Sequence, residues 1–171
     1  MQPISLDVIE HADDFIFHLS DNQLKEWLDE LKKKQPYIFN ILNYNSKCFK
    51  SIGNINYVNK IQLSMVQCFN SYKVTFPLFS NNDINVCNQW YNANIKAADI
   101  TDDTFETVKI MGQLINQQEL VEYVYNKLYN GKEELILNND IKLSNLIANC
   151  ILIIEVYSRR IRKFIPNSPE K

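Results

Sequence analysis

Residues 140–165 read DIKLSNLIANCILIIEVYSRRIRKFI. Within them Leu143, Leu146, Ile147, Cys150, Ile153, Ile154, Tyr157, Ile161 and Phe164 recur at the three- and four-residue spacing of a helical face. Lys142, Asn145, Asn149, Glu155, Arg159, Arg162 and Lys163 mostly fall on the opposite arc. A membrane span needs about twenty nearly unbroken apolar residues, so this pattern predicts an amphipathic core helix instead.

The same period runs back through the chain. Ile4, Val8, Ala12, Phe15 and Leu19 share one face, and Ser20 to Gln23 match a capping box that starts a second helix. That helix carries Leu24, Trp27, Leu28 and Leu31 and ends in Lys32, Lys33 and Lys34, which complement the negative end of its dipole. Gln35-Pro36 breaks the pattern and opens a third helix with Ile38, Phe39, Ile41 and Leu42. Gly53 is expected to form a left-handed stop before a long segment with Ile55, Val58, Ile61, Met65, Phe69 and Tyr72. Ser80 to Asp83 caps a helix bearing Ile84, Cys87, Tyr91 and Ile95, and Thr101 with Asp102 and Asp103 caps the next. In 102–130 the stripe of Phe105, Val108, Met111 and Ile115 gives way, after Gly112 and the polar Asn116-Gln117-Gln118, to Val121, Val124, Tyr125 and Leu128. A kink or short break is expected there.

Composition agrees. The 171 residues include three glycines and five prolines, where average usage would give about twelve and about eight. Scarce glycine argues against many-stranded β folds and against nucleotide folds with Gly-rich loops. The expected fold is all-α, an irregular bundle of six or seven helices forming a single domain over 1–165, with a short polar tail at 166–171. Net charge is −2, which offers no general attraction to nucleic acid or anionic membrane. Its distribution is uneven: residues 1–30 hold eight acids and only Lys25, whereas 31–60 hold six lysines and no acid. Cys48, Cys68, Cys87 and Cys150 are scattered among apolar neighbours, as reduced buried thiols are. The start, MQPISLDVIEHADD, lacks the basic and apolar regions of a signal peptide, so a cytoplasmic location is expected.

Three constellations carry chemistry. Asp7, His11, Asp14 and His18 fall within about 60° of one another on a helical wheel, and imidazole with carboxylate suits zinc, iron or manganese. Border residues of an amphipathic helix have the same composition, however, and no Glu-x-x-His pair accompanies them. Arg159, Arg160, Arg162 and Lys163 gather every arginine of the chain and form a candidate anion or RNA site. Basic residues are also favoured at helix C-termini, and Glu155 can pair with Arg159 one turn on. Finally Trp27, Trp90, Tyr123, Tyr125 and Tyr129 supply large amphipathic rings. Most of them are expected in the core or at its edge; Tyr123 falls off the apolar stripe that Tyr125 joins, which leaves it free to reach the surface, where aromatic residues mark partner-binding faces.

Leu19-Ser20-Asp21 with the leucine-spaced helix behind it, then Gln35-Pro36, resembles the opening of a group of uncharacterised all-helical bacterial proteins of the kind found in Bacteroidetes. Asn116-Gln117-Gln118-Glu119-Leu120-Val121-Glu122-Tyr123 is similar to their second half, with Gln118 where they often have proline. The resemblance implies a single helical domain in a bacterial cytoplasm and brings no activity with it. The sequence therefore favours a non-enzymatic binding or adaptor protein acting through protein contacts or as a homodimer, without a cofactor. Two other readings stand beside it: an RNA or phosphate binder using the basic end of the last helix, and a metal enzyme using Asp7, His11, Asp14 and His18. Nucleic-acid binding and membrane association are not favoured.

Overall fold

The computed structural model describes residues 2–49, 51–97, 104–131 and 143–164. Among them are eight α-helices and no β-strand: α1 (Leu6–Phe17), α2 (Asp21–Lys34), α3 (Pro36–Lys47), α4 (Ile52–Cys68), α5 (Asn81–Ala97), α6 (Thr104–Ile115), α7 (Gln118–Asn130) and α8 (Leu143–Phe164). A 3-10 turn, Phe69–Tyr72, extends α4. The count exceeds the expected six or seven because the polar interval after Ile115 is a complete break. Asn116 takes a left-handed conformation (φ 60°), which ends α6, and Gln117 (φ −139°) caps α7.

Several helix signals act as their chemistry requires. Ser20 and Gln23 form the reciprocal capping box of α2. Ser80 and Asp83 do the same for α5: the Asp83 amide donates to Ser80 Oγ at 3.2 Å and the Ser80 amide donates to Asp83 Oδ2 at 2.8 Å. Gly53, by contrast, is no stop. It lies in the first turn of α4 behind the cap Ser51, and no described glycine has a positive φ. The left-handed turn residue of that region is Lys73 (φ 51°), after the 3-10 turn. The proposed cap at 101–103 and the tail at 166–171 lie outside the described residues.

α4 and α8 are the axes of the bundle. α1, α2 and α3 pack on α4, with α2 also on α3; α5, α6 and α7 pack on α8, with α6 also on α7. The two groups meet where α4 lies against α7 and α8, where α3 lies against α8, and where α1 touches α7. All eight helices contribute side chains to one apolar cluster, among them Ile9, Leu24, Ile38, Val58, Cys87, Val108, Leu120 and Leu146. α8 keeps its amphipathic character towards both ends, where Asn145, Arg162 and Lys163 are exposed, but every residue from Cys150 to Ser158 is buried, Glu155 included. α1 is also turned from its expected face. Ile9, Ala12 and Ile16 point into the core, leaving Phe15 exposed and edge-on to Trp27.

Several of the polar residues that enter this core pair with one another. Asn149 donates to Asn45 Oδ1, Asn45 donates to Gln62 Oε1 (2.8 Å each), and Gln62 donates to Ser46 Oγ at 3.1 Å. Ser46 also hydrogen-bonds Asn59. A satisfied buried network of this kind fixes the register of α3, α4 and α8, because any slip would leave its members unpaired.

Gly112 is required by close approach rather than by turn geometry. A Cβ there would stand 3.1 Å from Gln118 Cα, and that neighbour is backbone, unable to swing aside. Alanine would gain about 1 kcal/mol of helix propensity, whereas overpacking a tight contact costs about 1–3 kcal/mol. Gly112→Ala is therefore expected to lower stability by about 1 kcal/mol, read as an earlier urea midpoint; a later midpoint would show that α6 and α7 separate freely.

Candidate functional site

One cavity is shaped by a buried amide. Gln35 precedes Pro36, whose ring drives the residue before it out of the helical region, and it sits at φ −142°, ψ 67° between α2 and α3. Its side chain turns inward: Nε2 donates to the Pro77 carbonyl at 2.8 Å and Oε1 accepts from the Phe79 amide at 2.9 Å. These bonds hold the segment between Lys73 and Ser80 across the ends of α2 and α4. Beneath it lies a crevice of about 480 Å³. Trp27 and Leu31 form one wall, Leu63 and Val66 another, with Phe76 above and Tyr157 of α8 at the floor. Glu30 and Lys34, paired with each other one helical turn apart, and Gln67 with Asn70 lie along its polar margin.

Tyr157 belongs to an aromatic cluster. It stacks on Phe69 at 4.8 Å and meets Phe76 and Phe79 edge-on at 4.8 and 4.9 Å. Burial pushes its hydroxyl well above the ordinary phenol range, so it stays protonated. Apolar walls with a few polar groups at the edge describe a binding cavity.

The basic end of α8 is largely spent within the molecule. Arg159 Nε and Arg162 Nη2 each donate to Glu155 Oε1 at 2.7 Å, and Arg162 Nη1 donates to the Ile115 carbonyl at 3.2 Å. Arg160 Nη2 reaches Asp83 Oδ1 at 3.3 Å. Burial opposes ionisation of Asp83, but the Ser80 amide and hydroxyl and the cations Arg160 and Lys163 outweigh it and hold its carboxyl below the ordinary range. Lys163 is exposed and lines a smaller crevice, about 120 Å³, between α5 and α8.

The four residues of the metal reading all lie on α1 or at its end. His11 Nδ1 bonds the Asp7 carbonyl and His18 Nδ1 the Asp14 carbonyl, both at 2.7 Å. A carbonyl only accepts, so Nδ1 carries the proton in both rings. His18 also stands 3.2 Å from its neighbour Asp14 Oδ1, while Asp7 and His11 line a shallow groove against Gln67, Asn70 and Ser71 of the α4 end. That groove brings them no acid from another helix. No group of three or more His, Cys, Asp or Glu placed to hold a metal occurs among the described residues.

The four thiols are buried. Burial pushes Cys68 and Cys150 up to about 12 and Cys87 to about 11, and raises Cys48. Thiols held so far from ionisation are poor nucleophiles.

Tyr123, free by its spacing to reach the surface, is instead half-buried. Its hydroxyl donates to Asp13, whose Oδ2 also takes Lys127 Nζ at 2.7 Å, and that ammonium lies 4.7 Å from the centre of the Phe17 ring. The cluster ties α1 to α7 and leaves neither the amine nor the carboxylate free. No described helix is long and apolar enough to cross a membrane. Comparison with protein-family models, with curated proteins and with solved structures finds no match.

Of the residues that build the crevice, Trp27 and Leu31 stand out in the sequence by their spacing, but Gln35 reads there only as a helix breaker. The signal that marks it is positional: an uncharged polar residue held before a proline has both a donor and an acceptor to place.

Proposed function

We propose that the protein is a non-enzymatic helical binding module that receives an apolar side chain of a protein partner in the crevice between α2, α4 and the Gln35-pinned segment. The observation that carries this reading is the crevice itself, with aromatic and aliphatic walls and a rim whose charged groups among the described residues, Glu30 and Lys34, neutralise each other. Such a rim gives orientation without offering a free acid or base. The thiols held un-ionised by burial and the histidines bonded to their own helix support binding over catalysis. Three of the four cations of the basic cluster already carry a carboxylate, which lends less support to an RNA or phosphate ligand.

Trp27 reports on the crevice directly. Titration with anilinonaphthalene sulfonate, an apolar dye, is expected to change Trp27 emission saturably, with Trp90→Phe removing the second indole. Apolar peptides are expected to displace the dye, and Val66→Trp, which fills the crevice, to abolish its binding. Dye binding that persists unchanged in Val66→Trp would sink the assignment.

A further inference from the structure

Two glutamines occupy matching places. Gln35 immediately precedes α3 and Gln117 immediately precedes α7, with backbone angles of −142°, 67° and −139°, 44°. Both side chains are buried. Gln35 Oε1 accepts the amide of Phe79, two residues before α5 begins; Gln117 Oε1 accepts the amide of Ile4, two residues before α1 begins, at 2.8 Å. Gln35 Nε2 donates to the carbonyl of Pro77; Gln117 Nε2 donates to Tyr72 Oη at 3.2 Å, and that hydroxyl donates to the carbonyl of Gln2. Pro77 and Gln2 each stand two residues before the amide that is bound. Each glutamine thus reads the same backbone pair on the segment entering the other group's first helix.

The packing repeats in the same order. α1 on α4, α2 on α3 and α4, and α3 on α4 correspond to α5 on α8, α6 on α7 and α8, and α7 on α8. Between the groups, α4 on α7 corresponds to α8 on α3 and α4 on α8 is its own counterpart, while α1 on α7 has no counterpart of that extent between α5 and α3. Apart from that α1 contact, this is the reciprocity of an isologous two-fold interface, where if one surface meets another the converse contact also forms.

Sequence positions follow. Counted from each glutamine, Ile38, Leu42 and Ser46 coincide with Leu120, Val124 and Leu128, all buried. Leu24, Trp27, Leu28 and Leu31 have the spacing of Val108, Met111, Gly112 and Ile115. The grooves correspond as well: Asp7, Val8, His11 and Ala12 line the one on α1, and Asn82, Asp83, Val86 and Cys87, each 75 positions later, line the one on α5.

We infer that the chain is two copies of one four-helix unit, residues 2–72 and 77–164, fused end to end, and that the surface between them is a homodimer-type interface whose partner is a second copy of the same unit. The strap before each unit's first helix is held by the other unit's glutamine. Lys73 and its neighbours are then a connector, and the paired grooves are equivalent sites that have diverged, one bearing His11 and Asp7, the other Arg160 and Lys163.

Two circular permutants of the full chain test this, with the present ends joined by a flexible linker. One opens between Lys73 and Val74, between the units; the other opens between Leu19 and Ser20, inside the first unit. The first is expected to melt in a single transition within about 5 °C of the parent and the second to lose at least twice as much. Equal losses, the reverse order, or failure of both to fold would overturn the inference. Hydrogen exchange on the uncut chain gives a second reading: Gln35→Ala is expected to speed exchange of the Phe79 amide about 10-fold or more without affecting Ile4, and Gln117→Ala to do the converse. Loss of that crossed pattern also counts against it, and neither result depends on what the crevice binds.

Discussion

Removing Arg159 and Arg162 together, as alanines, is expected to destabilise the protein by about 3 kcal/mol, the lower end of the cost of breaking a buried ion pair. Glu155 is 2% exposed, and its Oε2 has no hydrogen-bond partner among the described residues, so the two guanidiniums on Oε1 supply most of its compensation. The arginine side chains remain about a third exposed (32% and 37%) and can recover water when their partner is lost. Glu155→Gln should consequently cost less, about 1–2 kcal/mol, since it leaves hydratable cations rather than a stranded anion. Adding Glu155→Leu to the double arginine variant should return much of the loss. Urea unfolding of these variants decides the matter; a Glu155→Gln loss larger than the double arginine loss would show that the carboxylate tolerates burial alone.

Phe69→Ala is expected to have a larger effect, about 3–5 kcal/mol, the range for emptying a buried aromatic position. Phe69 is fully buried at the junction of α4 and the 3-10 turn, stacked on Tyr157 and edge-on to Phe76. The cavity would lie directly under the floor of the crevice. Loss of stability should therefore come with weakened dye binding and a smaller near-ultraviolet dichroism signal, whereas Phe69→Leu should retain a good part of both. A stable Phe69→Ala protein with undiminished dye binding would show that Tyr157 holds its place without the stack.

Much of the bundle is legible in spacing alone. The capping serines Ser20 and Ser80, the Pro36 break and the apolar stripes of α2, α3 and α7 depend on local chemistry, and local chemistry is what a sequence displays. What it hides is the partner of each face. Leu146, Ile147 and Ile153 mark the inward side of α8, but Glu155 resembles any solvent-facing acid until α5 and α6 close over it, bringing Asp83 and Ile115 to the neighbouring arginines. Phe15 and Ile16 are adjacent apolar residues, and only the docking of α1 on α4 decides that Ile16 is the buried one. Gly53 and Lys73 exchange roles for a similar reason, since a left-handed turn was needed after α4 rather than before it.

The candidate site was less legible than the fold. His11 and His18 draw the eye as the two histidines of the chain, yet each is bonded to its own helix. Gln35 and Gln117, which position segments of backbone some forty and more than a hundred residues away, are ordinary amides in one dimension. Their matching roles emerge only when the hydrogen bonds of both are compared.

The complete burial of α8 between Cys150 and Ser158 also bears on the order of events during synthesis. The ribosome releases α8 after the five helices that pack on it, α3 to α7, at about 5–20 residues per second. Until it emerges, the inner faces of α5, α6 and α7 have no axis to close upon, and the crevice beside α2 has no floor. A nascent chain stalled before α8 would present those apolar faces to chaperones, while one that has released it can close its core.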